Sequence, residues 1–530
     1  MPTPSRFRLW RRLTLTAIVL AWAGTAYWQA HKPMPAGTSI ASNWYPVPAD
    51  QVSFIADITA ADAYGRPVVS QAIFDEVLRV VSSARQVIVL DYFLFNGWHE
   101  SAEGSQIPMR PVSGELRDAL IAQRQAHPDL KVLFITDPIN EVYGSEPSKD
   151  LLLLRAAGVD VVVTDLDRLR DSNLLYSGLW RLGIGWWDGG GRGAGWLPNP
   201  LDQDDRPITF GSWARLVNFK ANHRKVVIAD DGRGSVTAIV ASANPHDASS
   251  AHSNVALRVT GAVLAPLLQS ELSVARFSGW KGQLNLPAGI SSGADPAGDG
   301  TGSANESNAA DKAPSATGSE VDAEAAVDAG RIDRVQVITE GGILTSVLDR
   351  LERAGSDDSI DIAMFYLSNR KIIEALLEAS RRGATIRLIL DPNKDAFGHS
   401  KSGMPNTSVA SELVSASDGR IHVRWYRTHG EQFHTKLVMV YGAKRLWFTL
   451  GSANLTRRNL DDYNLEANLA IEVGRSSALA TQLLNYYETL WSNRAALGIE
   501  YTADFAVYSD PGQSKYWLYR VMEATGLSTF

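Results

Sequence analysis

The chain has 530 residues, a formal net charge of −7 and no cysteine. This length exceeds what one hydrophobic core supports, so two or three domains are expected. Without cysteine there can be no disulfide, thiolate zinc site or Cys nucleophile, and the acidic balance argues against a broad polyanion-binding surface.

The first 32 residues read as a targeting segment. Arg6, Arg8, Arg11 and Arg12 precede an uncharged stretch at 13–30. One reading is a cleaved signal peptide, with Ala21, Ala23 and Ala26 as small residues for cleavage. The other, favoured because Trp22, Tyr27 and Trp28 crowd that region, is an uncleaved membrane anchor with its aromatic residues at the far interface. In both readings the arginines stay inside and the rest of the chain lies on the periplasmic, extracytoplasmic side.

Beyond this segment the chain repeats itself. The first half, 45–285, is expected to run helix 71–83, strand 87–95, helix 114–125 and strand 132–137, then helix 151–157 and strand 159–164. The second half, 333–510, is expected to run helix 343–354, strand 360–365, helix 370–382 and strand 386–391, then helix 409–414 and strand 421–425. The helical stretches have a 3.6-residue apolar period, and the strands are short apolar runs covered on both faces. The second strand of each half ends in Asp-Pro: Asp137-Pro138 and Asp391-Pro392. Alternating elements of this kind predict an α/β fold of two pseudo-twofold-related lobes. Each lobe should hold a mixed, mostly parallel sheet flanked by helices, with the site at the seam. Between the halves, 286–332 is rich in Gly, Ala, Ser, Asp and Asn and reads as a flexible linker. Residues 511–530 form a C-terminal extension. The first half also carries a Gly-rich insert at 175–213 with Tyr176, Trp180, Trp186, Trp187, Trp196 and Trp213. Aromatic residues that bury poorly in such a segment suit a substrate entrance or a membrane contact.

Two matched motifs carry the chemistry. His223 and Lys225 open one apolar run, and His434 and Lys436 open another. Ser242-Ala243-Asn244 follows the first motif and Ser452-Ala453-Asn454 the second. In extended backbone, residues i and i+2 share a face, so each motif sets an imidazole beside an ammonium. Two such faces brought together hold a phosphodiester among two His and two Lys.

This pattern resembles the phospholipase D superfamily, whose signature is a repeated His-x-Lys-x4-Asp with Gly-Ser-x-Asn downstream. The resemblance covers roughly 50–285 and 333–510. The first copy is complete, with Asp230 as its acid; the second has Tyr441 at that place. Asp230 is read as bracing a strand or loop, away from substrate. The resemblance implies a metal-independent reaction without cofactor. Lys225 and Lys436 would hold the phosphoryl charge, assisted by Ser242, Asn244, Ser452 and Asn454. It makes His223 the nucleophile of a covalent phosphohistidine and His434 the acid/base, although the symmetry leaves the reverse open. Glu466, 32 residues after His434, is expected to orient His434. The matching stretch of the first half, Asn254-Val255-Ala256, offers no carboxylate, and Asp247 is the substitute considered for His223.

The resemblance implies hydrolysis of a glycerophospholipid, or transfer of its phosphatidyl group as in cardiolipin synthases of the superfamily, at a membrane surface. The alternative is a nuclease-type phosphodiesterase, which the acidic charge, the N-terminal anchor and the Trp-rich insert disfavour; a catalytically silent scaffold is a third reading. Because both motifs lie in one chain, a monomer suffices for a complete site.

Overall fold

The computed structural model describes residues 4–98, 107–186, 195–201, 206–284, 286, 333–396, 399–494 and 498–528. Apart from residue 286, the expected linker at 286–332 lies outside these, as does Trp187.

The strands, in chain order, are β1 (Tyr45–Pro46), β2 (Val52–Ala61), β3 (Pro67–Ser70), β4 (Val87–Tyr92), β5 (Lys131–Thr136), β6 (Asp160–Val163), β7 (Lys225–Asp230), β8 (Val236–Ala241), β9 (Asn254–Thr260), β10 (Arg334–Thr339), β11 (Ser359–Met364), β12 (Thr385–Leu390), β13 (Asp395–Ala396), β14 (His399–Ser400), β15 (Ile421–Tyr426), β16 (Lys436–Tyr441), β17 (Arg445–Gly451), β18 (Ala467–Gly474) and β19 (Thr502–Asp504). The first lobe has an eight-stranded sheet in the order β3-β2-β9-β8-β7-β4-β5-β6. The second has a nine-stranded sheet in the order β1-β10-β18-β17-β16-β11-β12-β15-β19. From β2 to β6 and from β10 to β15 the two orders correspond strand for strand, so the duplication read from the sequence is a duplication of structure.

One feature of the expected sheets is corrected. Parallel pairing joins only β4 to β5 to β6 and β11 to β12 to β15. All other neighbours within the two sheets are antiparallel. The sheets are mixed but not mostly parallel. The βα units make the parallel part; tight connections such as β7 to β8 and β16 to β17 add antiparallel pairs, because a short turn can only join antiparallel strands, and strands distant in sequence, such as β4 with β7 and β11 with β16, supply others.

Side chains alternate between two cores. Ile88, Leu90, Val227 and Ala229 pack under the helices Ile73–Ser83 and Val112–Ala126 of the first lobe. Their neighbours Val87, Val89, Val226 and Ile228 face a second core shared with Leu437, Met439, Phe448 and Leu469 of the other lobe. Helices Leu264–Phe277 and Ala478–Trp491 complete this shared core. The two sheets are thus packed face to face, which fixes the seam where the motifs meet. Local chemistry starts the helices where expected: Asn369 caps Arg370–Arg381 by accepting the Lys371 and Ile372 N–H, and Ser148 caps Lys149–Ala156.

The two ends of the chain are built into this frame. Helix Pro4–His31 lies along helix Leu174–Leu182, with Trp22 Nε1 donating to the Leu175 carbonyl at 3.1 Å. Among the described residues no helix is long and apolar enough to cross a membrane. The expectation of a spanning anchor at 1–32 is therefore not met; Thr14, Thr16, Gly24, Thr25 and Gln29 interrupt its apolar run. The C-terminal extension forms helix Gln513–Thr525, whose Glu523 accepts from Ser368 Oγ at 2.7 Å and Arg457 N–H at 2.8 Å.

Candidate active site at the seam between the lobes

His223 and His434 stand two residues before the first residues of β7 and β16. Lys225 pairs with Tyr92 at the end of β4, and Lys436 with Met364 at the end of β11. The site therefore lies beyond the carboxyl ends of the central parallel strands. Two parallel bridges, Asn222 to Leu465 and Ser253 to Phe433, stitch the lobes beside it. The His223 N–H donates to the Leu465 carbonyl at 2.8 Å. The Asp-Pro pairs hold the same joint: Asp137 accepts the Asn222 N–H and Asp391 the Phe433 N–H, each at 2.7 Å. The repetition of Asp-Pro was the visible signal of these residues, though not of their role.

Around each imidazole the arrangement is doubled. The Phe93 ring lies 5.0 Å from His223 and 5.3 Å from the Lys225 ammonium; Phe365 lies 5.1 Å from His434 and 5.4 Å from Lys436. Each lysine donates to the carbonyl of its own motif's histidine, at 2.5 Å for Lys225 and 3.1 Å for Lys436. His223, His434, Asn244 and Asn454 line one cavity of about 190 Å³, with Phe93, Phe365, His252, Lys401 and Arg458 among the other walls.

The histidines are oriented across the seam, and this corrects the expected pairing. Glu466 does not hold His434. Its Oε2 accepts from His223 Nδ1 at 2.9 Å and from Ser452 Oγ at 2.5 Å. Asn459 and Asn464 donate to its Oε1. His434 Nδ1 instead meets Asn254 Oδ1 at 3.0 Å, an oxygen that also accepts from Ser242 Oγ at 2.9 Å. Asn254 Nδ2 donates to the His252 carbonyl, which turns its oxygen toward His434. Asn254 is thus the counterpart of Glu466, displacing Ala256 from that role. The bonds Val255 N–H to Ser242 Oγ and Ala467 N–H to Ser452 Oγ, both 3.0 Å, fix the register. Ser242 and Ser452 are therefore supports for these partners. Asp247 is also corrected: it binds Ser113 N–H and Oγ rather than His223. Asp230 accepts the backbone N–H of Arg85, Gln86, Val87 and Gly232, a loop brace distant from the cavity.

With both Nδ1 atoms donating, both Nε2 atoms are left for chemistry. Burial lowers His223 to about 4, although Glu466 pulls it upward. Burial, then Lys436 and His252, hold His434 well below its ordinary value. Burial brings Lys225 down to about 7 and, with Lys225 beside it, Lys436 well down. Burial opposes the Glu466 charge, but His223, Lys225 and Ser452 keep its carboxyl below the usual range. The site is therefore short of negative charge, and an oxyanion would raise all four bases. Among the described residues no group of three or more His, Asp or Glu is set to hold a metal ion.

Arg224, the middle residue of the first motif, was not singled out by sequence reasoning. It is fully buried and donates to Glu340 Oε1 at 2.7 Å and Glu271 Oε1 at 3.2 Å. Glu340 also accepts the Glu466 N–H at 3.0 Å. This bridge ties the His223 strand to the backbone of His223's own partner.

Residues 347–491 match the family described as "Cardiolipin synthase, PLD-like domain", a span that contains His434, Lys436, Ser452, Asn454 and Glu466. The second lobe is thus similar to the phospholipase D-like domain of that family. The fold of the chain is similar to the crystal structure of phosphatidylserine synthase from Haemophilus influenzae Rd KW20, with 12% identity and a TM-score of 0.52 over 95% of this chain and 98% of that one. The phospholipase D family member Nuc from Salmonella typhimurium aligns at 19% identity, with a TM-score of 0.24 over 30% of this chain and 95% of that one. No curated protein matches the sequence. The two histidines of this chain face unequal partners, the carboxylate of Glu466 and the neutral amide of Asn254.

Proposed function

We propose that this protein is a phospholipase D-type phosphodiesterase or phosphatidyltransferase acting on glycerophospholipids at a membrane surface. The observation that carries the reading is the pair of imidazoles facing one cavity, each fixed through Nδ1 by the opposite lobe, with a lysine beside each. The family match over 347–491 supports the lipid class.

The unequal partners support one division of roles. His223 Nε2 attacks phosphorus, the P–N bond forms as the P–O bond to the headgroup breaks, and Glu466 stabilises the cationic imidazole that results. His434, charged in the field of the bound diester, gives its Nε2 proton to the departing oxygen. The neutral Asn254 leaves that proton more acidic than a carboxylate would. Lys225 and Lys436 neutralise the phosphoryl oxygens. In the second step His434 takes the proton of water or an alcohol, which attacks phosphorus and frees His223.

A lipid surface is the partner suited to the exposed apolar side chains of the insert and its neighbouring helix. Leu175, Leu179, Trp186, Trp196, Phe210 and Trp213 are exposed on the insert, and Leu9, Trp10, Leu13 and Leu20 on the helix docked against it. Exposed apolar side chains in this number suit an interaction surface. Purified protein incubated in chelator with phosphatidylglycerol vesicles, with and without added glycerol, is expected to release or exchange the headgroup, read by mass spectrometry of the lipids. Cleavage of single-stranded DNA with no change in any lipid would overturn the reading in favour of a nuclease.

A further inference from the structure

One pair of equivalent positions is unequal in a way the chemistry above does not use. Two residues before each catalytic histidine, a backbone N–H is held by a side chain of the opposite lobe. Asn464 Oδ1 accepts the Ala221 N–H at 3.0 Å, and His252 Nδ1 accepts the Gln432 N–H at 3.2 Å. An amide and an imidazole perform the same structural task, but only the imidazole has a second ring nitrogen. Because Nδ1 accepts, the neutral ring carries its proton on Nε2. Burial, with His246 and Lys436, lowers His252 to about 3, so the ring is neutral at working pH. His252 is 3% exposed, lines the reaction cavity, and has its ring centre 5.9 Å from that of His434. The equivalent Asn464 spends its Nδ2 on Glu466 instead.

We propose that His252 is a third imidazole of the transfer site, whose Nε2–H donates a hydrogen bond to the oxygen that departs from and returns to phosphorus beside His434. The ligand class is an alcohol oxygen: the headgroup oxygen in the first step, the acceptor hydroxyl or water in the second. His252 keeps its proton throughout, and His434 alone transfers one. The device is one-sided, in keeping with an oxygen that leaves only on the His434 side. The inference rests on the phosphodiester reading above.

The test uses full-length protein and two substrates, a phosphatidylglycerol vesicle and a p-nitrophenyl phosphodiester whose leaving group departs as a stable anion. His252→Asn installs the residue the other lobe uses and retains an acceptor for Gln432, so its Tm is expected within about 2 °C of wild type. Loss of one hydrogen bond to an oxygen gaining charge should lower kcat on the phospholipid by about 30-fold, and the rate of the first-turnover nitrophenolate burst, which needs no protonated leaving oxygen, by less than about 3-fold. Normalising kcat to the burst amplitude makes the comparison independent of how much protein is folded. Unchanged kcat on phospholipid, or equal losses on both substrates, would reduce His252 to its bond with Gln432 and overturn the proposal. Wild-type protein inactive on both substrates would instead overturn the phosphodiester reading itself.

Discussion

Replacing either motif histidine by alanine is expected to abolish steady-state turnover of phospholipid, but the two variants should fail differently. His223→Ala removes the nucleophile, and a loss of about 10⁴-fold or more in kcat is expected on any substrate. His434→Ala removes the acid, at a cost of about 10²–10⁴-fold on a phospholipid whose headgroup leaves as an alkoxide. On a p-nitrophenyl phosphodiester the leaving group needs no proton. His434→Ala should then give a burst of nitrophenolate close to one per site, followed by slow turnover, whereas His223→Ala should give none. Both variants should fold, because Glu466 keeps Ser452, Asn459 and Asn464 as donors and Asn254 keeps Ser242. Stopped-flow absorbance decides the matter, and a burst in His223→Ala but not in His434→Ala would reverse the roles.

Glu466→Gln is expected to have the next largest effect. The carboxylate accepts on both oxygens and is fully buried, so an amide must turn its nitrogen toward some of those donors. It also withdraws the charge that raises His223, leaving the imidazole a weaker base and the phosphohistidine cation less stabilised. Attack on phosphorus should slow by about 10²–10⁴-fold, by analogy with loss of the orienting carboxylate in a hydrolase triad, and the covalent intermediate should not accumulate. Had Glu466 served His434, as its place in the second half suggested, the second step would slow and the intermediate would build up. Rapid-quench measurement of the burst rate separates the two cases.

Much of this arrangement is legible in the chain itself. Expected helices 71–83, 343–354 and 370–382 correspond to Ile73–Ser83, Gly341–Arg353 and Arg370–Arg381, because the apolar period is clear in all three and Asn369 caps the third. The site residues at 223, 225, 434 and 436 were visible as repeated chemistry at fixed spacing. Strand direction was not, because a short apolar run such as Val226–Ala229 reads the same in a parallel or an antiparallel ladder. Nor was the exchange of partners across the seam, since spacing along one half says nothing about which lobe a side chain crosses to. Asn254 was passed over because a carboxylate was sought at Ala256, two residues beyond the true register. Arg224 and Glu340 are 116 residues apart and meet only when the lobes close on each other.

The central claim is that a phosphoryl group passes through His223 with His434 serving the oxygen. It is tested most directly by mixing His434→Ala with the p-nitrophenyl phosphodiester, denaturing at alkaline pH, where phosphohistidine survives, and mapping the adduct by peptide mass spectrometry. The predicted result is one phosphoryl ester on the peptide containing His223, in step with the nitrophenolate burst. An adduct on any other residue, or a full burst with no adduct at all, would contradict it.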